Sequence, residues 1–254
     1  MPVRHLEWDS RLFGYPVGSA AFGGGPDLAA EIRTALQAAR HSGLKLLYLA
    51  MPPVAAPLRK TIVELGATPV GCKVEFAKPI QTPPPPAAEN DIFWCRDTSA
   101  ALEDLALQCG FYSRFRLDAG FRNHEFERLY REWLATALRG DDGRQAFVAG
   151  SLDAPRGLIT LEPGITVRVG LLAVAADRKG QGLGRRLVAQ AERFCRQNHA
   201  AVLRVATQTA NASACRFYKA CGFHQTSETE FFHAWLPPLA PASASAESHV
   251  PHSL

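Results

Sequence analysis

The sequence of 254 residues predicts an α/β fold in which helices flank a mixed, twisted sheet, with a smaller half-copy of that arrangement at the N-terminus. One observation is that apolar runs typical of strands alternate with segments of helical spacing. Another is an internal repeat, because residues 49–76 align without gaps on residues 205–232 at an offset of 156. Each copy reads as strand, turn, helix, glycine and strand. Few residues are identical, so chance similarity of two βαβ units is the alternative.

The composition is that of an ordinary globular protein, with 47% hydrophobic and 20% charged residues. The net charge of +4 suits a small anionic ligand and falls short of a nucleic-acid-binding surface. No apolar run reaches the roughly 18 residues of a membrane span, and the first residues do not resemble a signal peptide, so we expect a cytoplasmic protein. The six cysteines have neither CxxC nor metal-site spacing and are interpreted as reduced thiols.

A proline-rich segment, residues 79–90, divides the chain, because it is unsuited to helix or to the interior of a sheet. We therefore predict a partial N-terminal domain at 1–78, a linker at 79–90 and a second domain at 91–236. Residues 237–254 are small, polar and proline-rich, which predicts a disordered tail.

Before the linker, apolar periodicity and glycine punctuation predict five elements. The helix is the clearest, since Leu28, Ile32 and Leu36 share one side and Gly43 follows its end. The elements are a strand at 15–22, a helix at 28–41, a strand at 44–50, a helix at 56–65 and a strand at 70–77.

After the linker, the same signals predict ten elements, and one segment, 111–118, has no clear periodicity. The elements are a strand at 92–96, helices at 99–109 and 124–138, strands at 145–149, 157–162 and 166–174, a helix at 182–198, a strand at 201–207, a helix at 212–221 and a strand at 231–236.

The most informative stretch is residues 166–188, in which a buried strand leads through Gly180-Gln-Gly-Leu-Gly184 into a helix. Glycines let the backbone approach a ligand closely, and the free N–H groups at a helix start favour a phosphate. This stretch therefore predicts an anion-binding loop. An ordinary strand-to-helix turn is the alternative.

The loop and a second motif together resemble the GNAT superfamily of acyl-CoA N-acyltransferases. The loop pattern is matched by Lys179-Gly-Gln-Gly182-Leu-Gly184, although Lys179 stands where arginine or glutamine is usual and Arg178 is expected to supply the guanidinium. The second motif is Asn211-Ala-Ser-Ala214, followed by Tyr218 and Gly222-Phe223. The resemblance implies a GNAT fold, acetyl-CoA as cosubstrate, no metal, and direct attack of an amine on the thioester.

The resemblance also implies roles for particular residues. Tyr218 matches the general acid that protonates the departing CoA thiolate, and a half-buried helix tyrosine is the alternative. Asn211 caps its helix, binds the pantetheine arm, or does both. A bulge in the strand before the loop presents backbone groups to the pantetheine, although these residues also suit a plain core. The implied acetyl-CoA contacts are Leu172, Ala173, Val174, Arg178, Lys179, Gly180, Gln181, Gly182, Leu183, Gly184 and Asn211.

A narrower resemblance, to bacterial dTDP-fucosamine N-acetyltransferases, extends over nearly the whole chain. It rests on Trp8-Asp-Ser, Phe13-Gly14, Ser113-Arg-Phe-Arg116 and His233-Ala-Trp-Leu236, among other matches. It implies acetylation of the 4-amino group of a dTDP-linked 4-amino-4,6-dideoxy sugar, for surface polysaccharide synthesis.

The acceptor side has weaker signals than the donor side. Arg114 and Arg116 suit a nucleotide diphosphate, or form a solvated basic loop. His233, Glu162 and Tyr112 are the candidates for the base that deprotonates the amine, and Tyr112 and His233 are also candidate acceptor contacts. A different amine acceptor, or a CoA-binding module without activity, are the competing functions. We expect binding of neither nucleic acid nor membrane, and the sequence leaves open whether the protein is a monomer or a homodimer.

Overall fold

The fold is built on one mixed sheet with helices on both faces, as the sequence predicts, in a computed structural model that describes residues 3–80 and 91–237. The first half of the chain contains β1 (Arg4–His5), α1 (Glu7–Phe13), β2 (Val17–Ala21), α2 (Leu28–His41), β3 (Leu46–Met51), α3 (Ala56–Glu64) and β4 (Thr68–Pro79). The second half contains β5 (Ile92–Cys95), α4 (Ala100–Gln108), α5 (Arg114–Leu117), α6 (Glu125–Arg139), β6 (Gln145–Gly150), β7 (Pro155–Glu162), β8 (Val167–Val174), α7 (Leu183–Gln197), β9 (Val202–Gln208), α8 (Ala212–Ala220) and β10 (His224–Trp235).

The ten strands of the described residues follow the order β1-β2-β3-β10-β4-β9-β8-β7-β6-β5. The pairs β2–β3 and β8–β9 are parallel, and the other neighbours are antiparallel. The sheet therefore continues across the segment predicted to separate two domains. That boundary stays a prediction, since residues 81–90 lie outside the described part of the chain.

Successive side chains of each strand point to opposite faces of the sheet, and their packing partners show which helices cover each face. Leu47 and Leu49 of β3 pack with the apolar side of α2, whereas Leu46 and Tyr48 pack with residues of α1, α5 and α6. In α7, the predicted stripe of Leu183, Leu187, Val188 and Ala191 is buried against the same face as α2. One face thus carries α2, α3, α7 and α8, and the other carries α1, α4, α5 and α6.

The structure contains the internal repeat that the sequence predicts. Both bounds of α3 and β4 coincide with those of α8 and β10 after a shift of 156 residues. The last strand of each copy pairs with the other copy, because Phe232 of β10 lies opposite Leu49 and the equivalent Phe76 of β4 lies opposite Val205. The two halves thereby exchange strands about a pseudo-two-fold axis.

Several predictions differ from the structure at the ends of the chain. The short α1 was not predicted, since it has no side-chain cap and is only 7 residues long. The last strand begins at His224 rather than at residue 231, because its first half is polar and exposed and pairs with β4 alone. Strand β4 extends through Pro79, the first residue of the predicted linker. The predicted tail lies outside the described residues except for Pro237.

None of the helices in the described residues is long and apolar enough to cross a membrane.

Candidate active site

The parallel strands β8 and β9 separate partway along their length. Their pairing runs from Val167 opposite Leu203 to Val169 opposite Val205, and neither strand pairs with the other beyond that point. Residues 170–174 and 205–208 both line a cavity of about 1540 Å³ at the separation. Backbone groups on this side of β8 are therefore directed towards the cavity instead of towards a neighbouring strand.

A bulge in β8 lies at the start of the separation, as predicted. The register between β7 and β8 shifts between Ile159 and Leu161, and the N–H of Leu171 donates to Thr160 Oγ1 at 2.7 Å. A Cβ at Gly170 would lie 2.7 Å from that same oxygen, so a larger residue there would displace the Thr160 hydroxyl from its hydrogen bond. The bulge re-aims the strand towards the cavity.

The glycine loop between β8 and α7 has the conformation of an anion-binding loop. Gly180 and Gly182 have φ values of 78° and 80°, in the left-handed region that favours glycine. No side chain caps the start of α7, so its first N–H groups are free to donate to a ligand. Gly184 has a different role, since a Cβ there would lie 3.0 Å from the Phe217 ring of α8.

The structure brings most of the predicted acetyl-CoA contacts to the cavity. The exception is Gln181, whose Nε2 donates to the carbonyl of Asp177 at 2.9 Å and which is not part of the wall. The predicted contacts that line the cavity are Leu172, Ala173, Val174, Arg178, Lys179, Gly180, Gly182, Leu183, Gly184 and Asn211. These groups fit the diphosphate and pantetheine of an acyl-CoA.

Helix α8 carries the predicted acid and the predicted cap. The Tyr218 side chain lines the cavity and packs against the rings of Phe76 and Phe223. Burial raises the pKa of Tyr218 above its ordinary value, so the phenol remains a proton donor at neutral pH. Asn211 caps the helix, because its Oδ1 accepts from the N–H of Ala214 at 3.1 Å, and it also borders the cavity.

The wall of the cavity also contains a buried arginine, Arg114. Ser113 caps α5 and accepts from the N–H of Phe115, which places Arg114 over the rings of Tyr48 and Phe231, each at 4.3 Å. Its Nη1 is buried and has no hydrogen-bond partner among the described residues. Burial lowers the pKa of Arg114. Such a cation is costly unless an anion reaches it.

The other predicted acceptor residues divide into two groups. Tyr112 and Arg116 line the cavity, and Arg116 stacks on Phe111 at 4.6 Å. Glu162 and His233 are not part of the cavity wall. Glu162 forms an ion pair with Arg144 at 3.5 Å. The structure therefore does not bring two of the three candidate bases to the cavity.

His233 belongs instead to a buried polar cluster. Its side chain is completely buried, and its Nδ1 lies 2.5 Å from Asp118 Oδ2, which also accepts from the indole N–H of Trp235 at 2.9 Å. Burial lowers the pKa of His233 to about 4, so the ring is neutral at pH 7 and Nδ1–H donates to the carboxylate. This arrangement joins β10 to the segment after α5.

We expect this cluster to make stability depend on pH. The unfolded chain protonates His233 at its ordinary pKa of 6.5 and the folded chain only near 4, so stabilisation present above pH 6.5 is lost as pH falls towards 4. The loss is about 3 kcal/mol of unfolding free energy. Urea unfolding at several pH values, compared with His233→Gln, measures it. Equal pH slopes for the two proteins would contradict the assignment.

Sequence reasoning missed part of the cavity wall, which comes from the N-terminal half. Trp8 and Asp9 of α1 and Tyr48 of β3 line the same cavity as Arg114. The only signal in the sequence was Trp8-Asp-Ser, which belongs to the narrower resemblance but had no function assigned to it. These residues are distant along the chain from the loop and Tyr218, so only the fold places them on a common wall.

The similarity of the chain to a known protein family is consistent with the glycine loop, the bulge and the cavity described above. Residues 101–223 match the model of the acetyltransferase (GNAT) family. None of the curated proteins compared with the chain matches it.

Solved structures share the fold at low sequence identity. A conserved protein of unknown function from Staphylococcus epidermidis is 13% identical, with a TM-score of 0.61 over 89% of this chain and 88% of that one. A GCN5-related N-acetyltransferase from Sphaerobacter thermophilus is 14% identical, with a TM-score of 0.55 over 91% and 75%. A tandem GNAT protein from the clavulanic acid biosynthesis pathway is 18% identical, with a TM-score of 0.50 over 87% and 75%.

Proposed function

We propose that this acetyl-CoA-dependent N-acetyltransferase, whose residues 101–223 match the model of the GNAT family, has as its acceptor the 4-amino group of a dTDP-linked 4-amino-4,6-dideoxy sugar. The donor and acceptor occupy the two ends of one cavity. Its volume of about 1540 Å³ exceeds the roughly 300–1,000 Å³ of a site for one small ligand, so two substrates fit.

The donor end supports direct transfer. The free N–H groups at the start of α7 bind the CoA diphosphate, and the unpaired side of β8 holds the pantetheine arm. The neutral amine attacks the thioester carbonyl, and backbone N–H groups beside the bulge stabilise the developing oxyanion. When the carbon–sulfur bond breaks, the Tyr218 hydroxyl donates its proton to the thiolate. The nitrogen, now bonded to the acetyl carbon, loses one proton to solvent, and the Tyr218 phenolate regains a proton from solvent, so that the products are the amide and the free thiol of CoA.

The N-terminal copy lacks the equivalent donor site. Ala55 and Ile62 occupy the positions that correspond to Asn211 and Tyr218, and Ile62 is completely buried. Strands β2 and β3 stay paired through Ala21 opposite Ala50, so no opening separates them. These differences support a single acetyl-CoA site in the described part of the chain, with the N-terminal half contributing to the acceptor site.

One observation carries the acceptor proposal: the buried, unpartnered Nη1 of Arg114 in the cavity wall. The negative charge of Asp9 favours the charged guanidinium but leaves Nη1 without a hydrogen bond, and the diphosphate of a nucleotide sugar supplies an anion that can accept one. Arg116 lines the same region and adds a second positive charge. A polyamine acceptor is disfavoured, since it would bring further positive charge to this site.

Acceptor profiling tests the proposal. We expect turnover of dTDP-linked 4-amino sugars, with no turnover of polyamines or of peptide amines. Arg114→Gln is expected to raise the acceptor KM at least ~tenfold and leave the acetyl-CoA KM unchanged, because a charge-assisted contact is lost. Arg122→Gln is the control, since Arg122 is exposed and outside the cavity wall. Turnover of a peptide amine alone would refute the proposed acceptor, and no turnover of any amine would favour a CoA-binding module.

A further inference from the structure

Asp9 is one of two acidic residues that line the cavity in the described part of the chain, and Asp104 is the other. Asp104 is exposed on α4, whereas Asp9 is partly buried on α1. The hydroxyl of Tyr48 donates to Asp9 Oδ2 at 3.2 Å, which holds the carboxyl group in place. Burial raises the pKa of Asp9, and the hydrogen bond from Tyr48 and the nearby charge of Arg114 oppose that rise.

The position of Asp9 in the sheet separates it from the reacting atoms. Its partner Tyr48 is on β3, and β10, β4 and β9 lie between β3 and β8. Four strand spacings of about 4.8 Å place β3 about 19 Å from β8. Asp9 therefore does not serve the amine at the thioester. A ligand that extends from the separation of β8 and β9 to Asp9 must therefore be a long molecule made of several linked groups.

The position of Arg114 indicates the order in which the groups of such a ligand would lie along the cavity. Its guanidinium lies over Phe231 of β10 and Tyr48 of β3, between the separation of β8 from β9 and the Asp9 carboxylate. With the amino sugar at the thioester and the diphosphate at Arg114, the nucleoside extends towards Asp9. The Trp8 indole, 38% exposed at the same wall, offers a flat surface for a base.

We propose that Asp9, oriented by Tyr48, forms a nucleobase subsite in which its carboxylate accepts a hydrogen bond from the imide N3–H of thymine or uracil. The Tyr48 hydroxyl donates to Oδ2 of Asp9, so Oδ1 of the same carboxylate can accept the hydrogen bond from the ligand. Cytosine presents a lone pair instead of a hydrogen at N3, and its hydrogen-bond donor lies on the neighbouring 4-amino group. A carboxylate that Tyr48 holds opposite N3 therefore favours thymine or uracil over cytosine. The inference rests on the proposed nucleotide-sugar acceptor and adds recognition of the base.

Calorimetric binding of dUDP and dCDP tests the subsite, because the two differ only at the base edge that Asp9 would read. We expect the wild type to bind dUDP at least ~tenfold more tightly than dCDP. In Asp9→Asn we expect the preference to fall below about threefold, because an amide both donates and accepts. Glu7→Gln is the matched control and should keep the wild-type preference, since Glu7 is exposed on the same helix as Asp9 and lies outside the cavity wall.

Tyr48→Phe provides a second test that removes one hydroxyl, in case Asp9→Asn does not fold. It should also weaken the preference for dUDP, and acetyl-CoA binding reports whether each variant is folded. Equal binding of the two nucleotides by the wild type, binding of neither, or an unchanged preference in the folded variants would overturn the subsite. If the preference depends on Asp9 but no dTDP-linked amino sugar is acetylated, the subsite stands and the proposed reaction is wrong.

Discussion

Replacing Tyr218 with phenylalanine is expected to lower kcat at least ~tenfold while acetyl-CoA affinity stays unchanged. The ring keeps its contacts with Phe76 and Phe223, so the variant should fold and bind the cosubstrate. Only the hydroxyl that we propose as the proton donor to the thiolate is lost. Because burial raises the pKa of Tyr218, its deprotonation should not reduce wild-type kcat below pH ~10. Steady-state kinetics and calorimetric binding of acetyl-CoA measure the two effects separately.

Tyr15→Phe is the matched control for this prediction. The Tyr15 hydroxyl donates to Glu125 Oε1 at 3.3 Å, and Tyr15 is not part of the cavity wall. We expect its kcat to equal that of the wild type. A Tyr218→Phe variant with wild-type kcat would refute the acid role. A loss of acetyl-CoA binding would instead indicate that the hydroxyl belongs to the binding site.

Replacing Gly182 with valine is expected to raise the acetyl-CoA KM at least ~tenfold. Gly182 has a φ of 80°, which a β-branched residue adopts at a cost of roughly 1–2 kcal/mol. We expect relief of that strain to turn the N–H groups of the loop away from the position proposed for the CoA diphosphate. The measurement is the KM for acetyl-CoA together with the free energy of unfolding.

Gly66→Val separates the binding effect from backbone strain. Gly66 also has a positive φ, 95°, and open space around its Cβ position, but it follows α3 away from the cavity. Both variants should lose a similar amount of unfolding free energy, and only Gly182→Val should raise the KM. Equal KM values for the two variants would show that the loop amides do not bind the donor.

The donor end of the cavity was predictable because its signals are local. The strand, the glycine loop and the start of α7 occupy consecutive residues, and the geometry of each follows from its own sequence. The cap at Asn211 is likewise set within one turn of helix. Loop glycines, cap and acid thus reach one cavity as expected, although the binding and catalytic roles remain predictions.

The acceptor end was less predictable because tertiary contacts decide it. His233 was a candidate base, yet β10 places it in a buried cluster with Asp118. Arg114 lies on a single turn of helix without periodicity, and its unpartnered guanidinium is evident only in the folded chain. Asp9 had no assigned role, since nothing near it in sequence indicates Tyr48 as its partner.

The sequence by itself determined most of the longer elements, the repeat at an offset of 156 and the strand, glycine loop and helix of residues 166–188. These depend on periodicity, glycine conformation and capping, which act over a few residues. Only the tertiary structure decided that β4 and β10 are exchanged between the copies, which joins the halves in one sheet. Strand exchange depends on hydrogen bonds between residues more than 100 positions apart, and it brings Asp9 and Tyr48 to the wall that also carries Arg114.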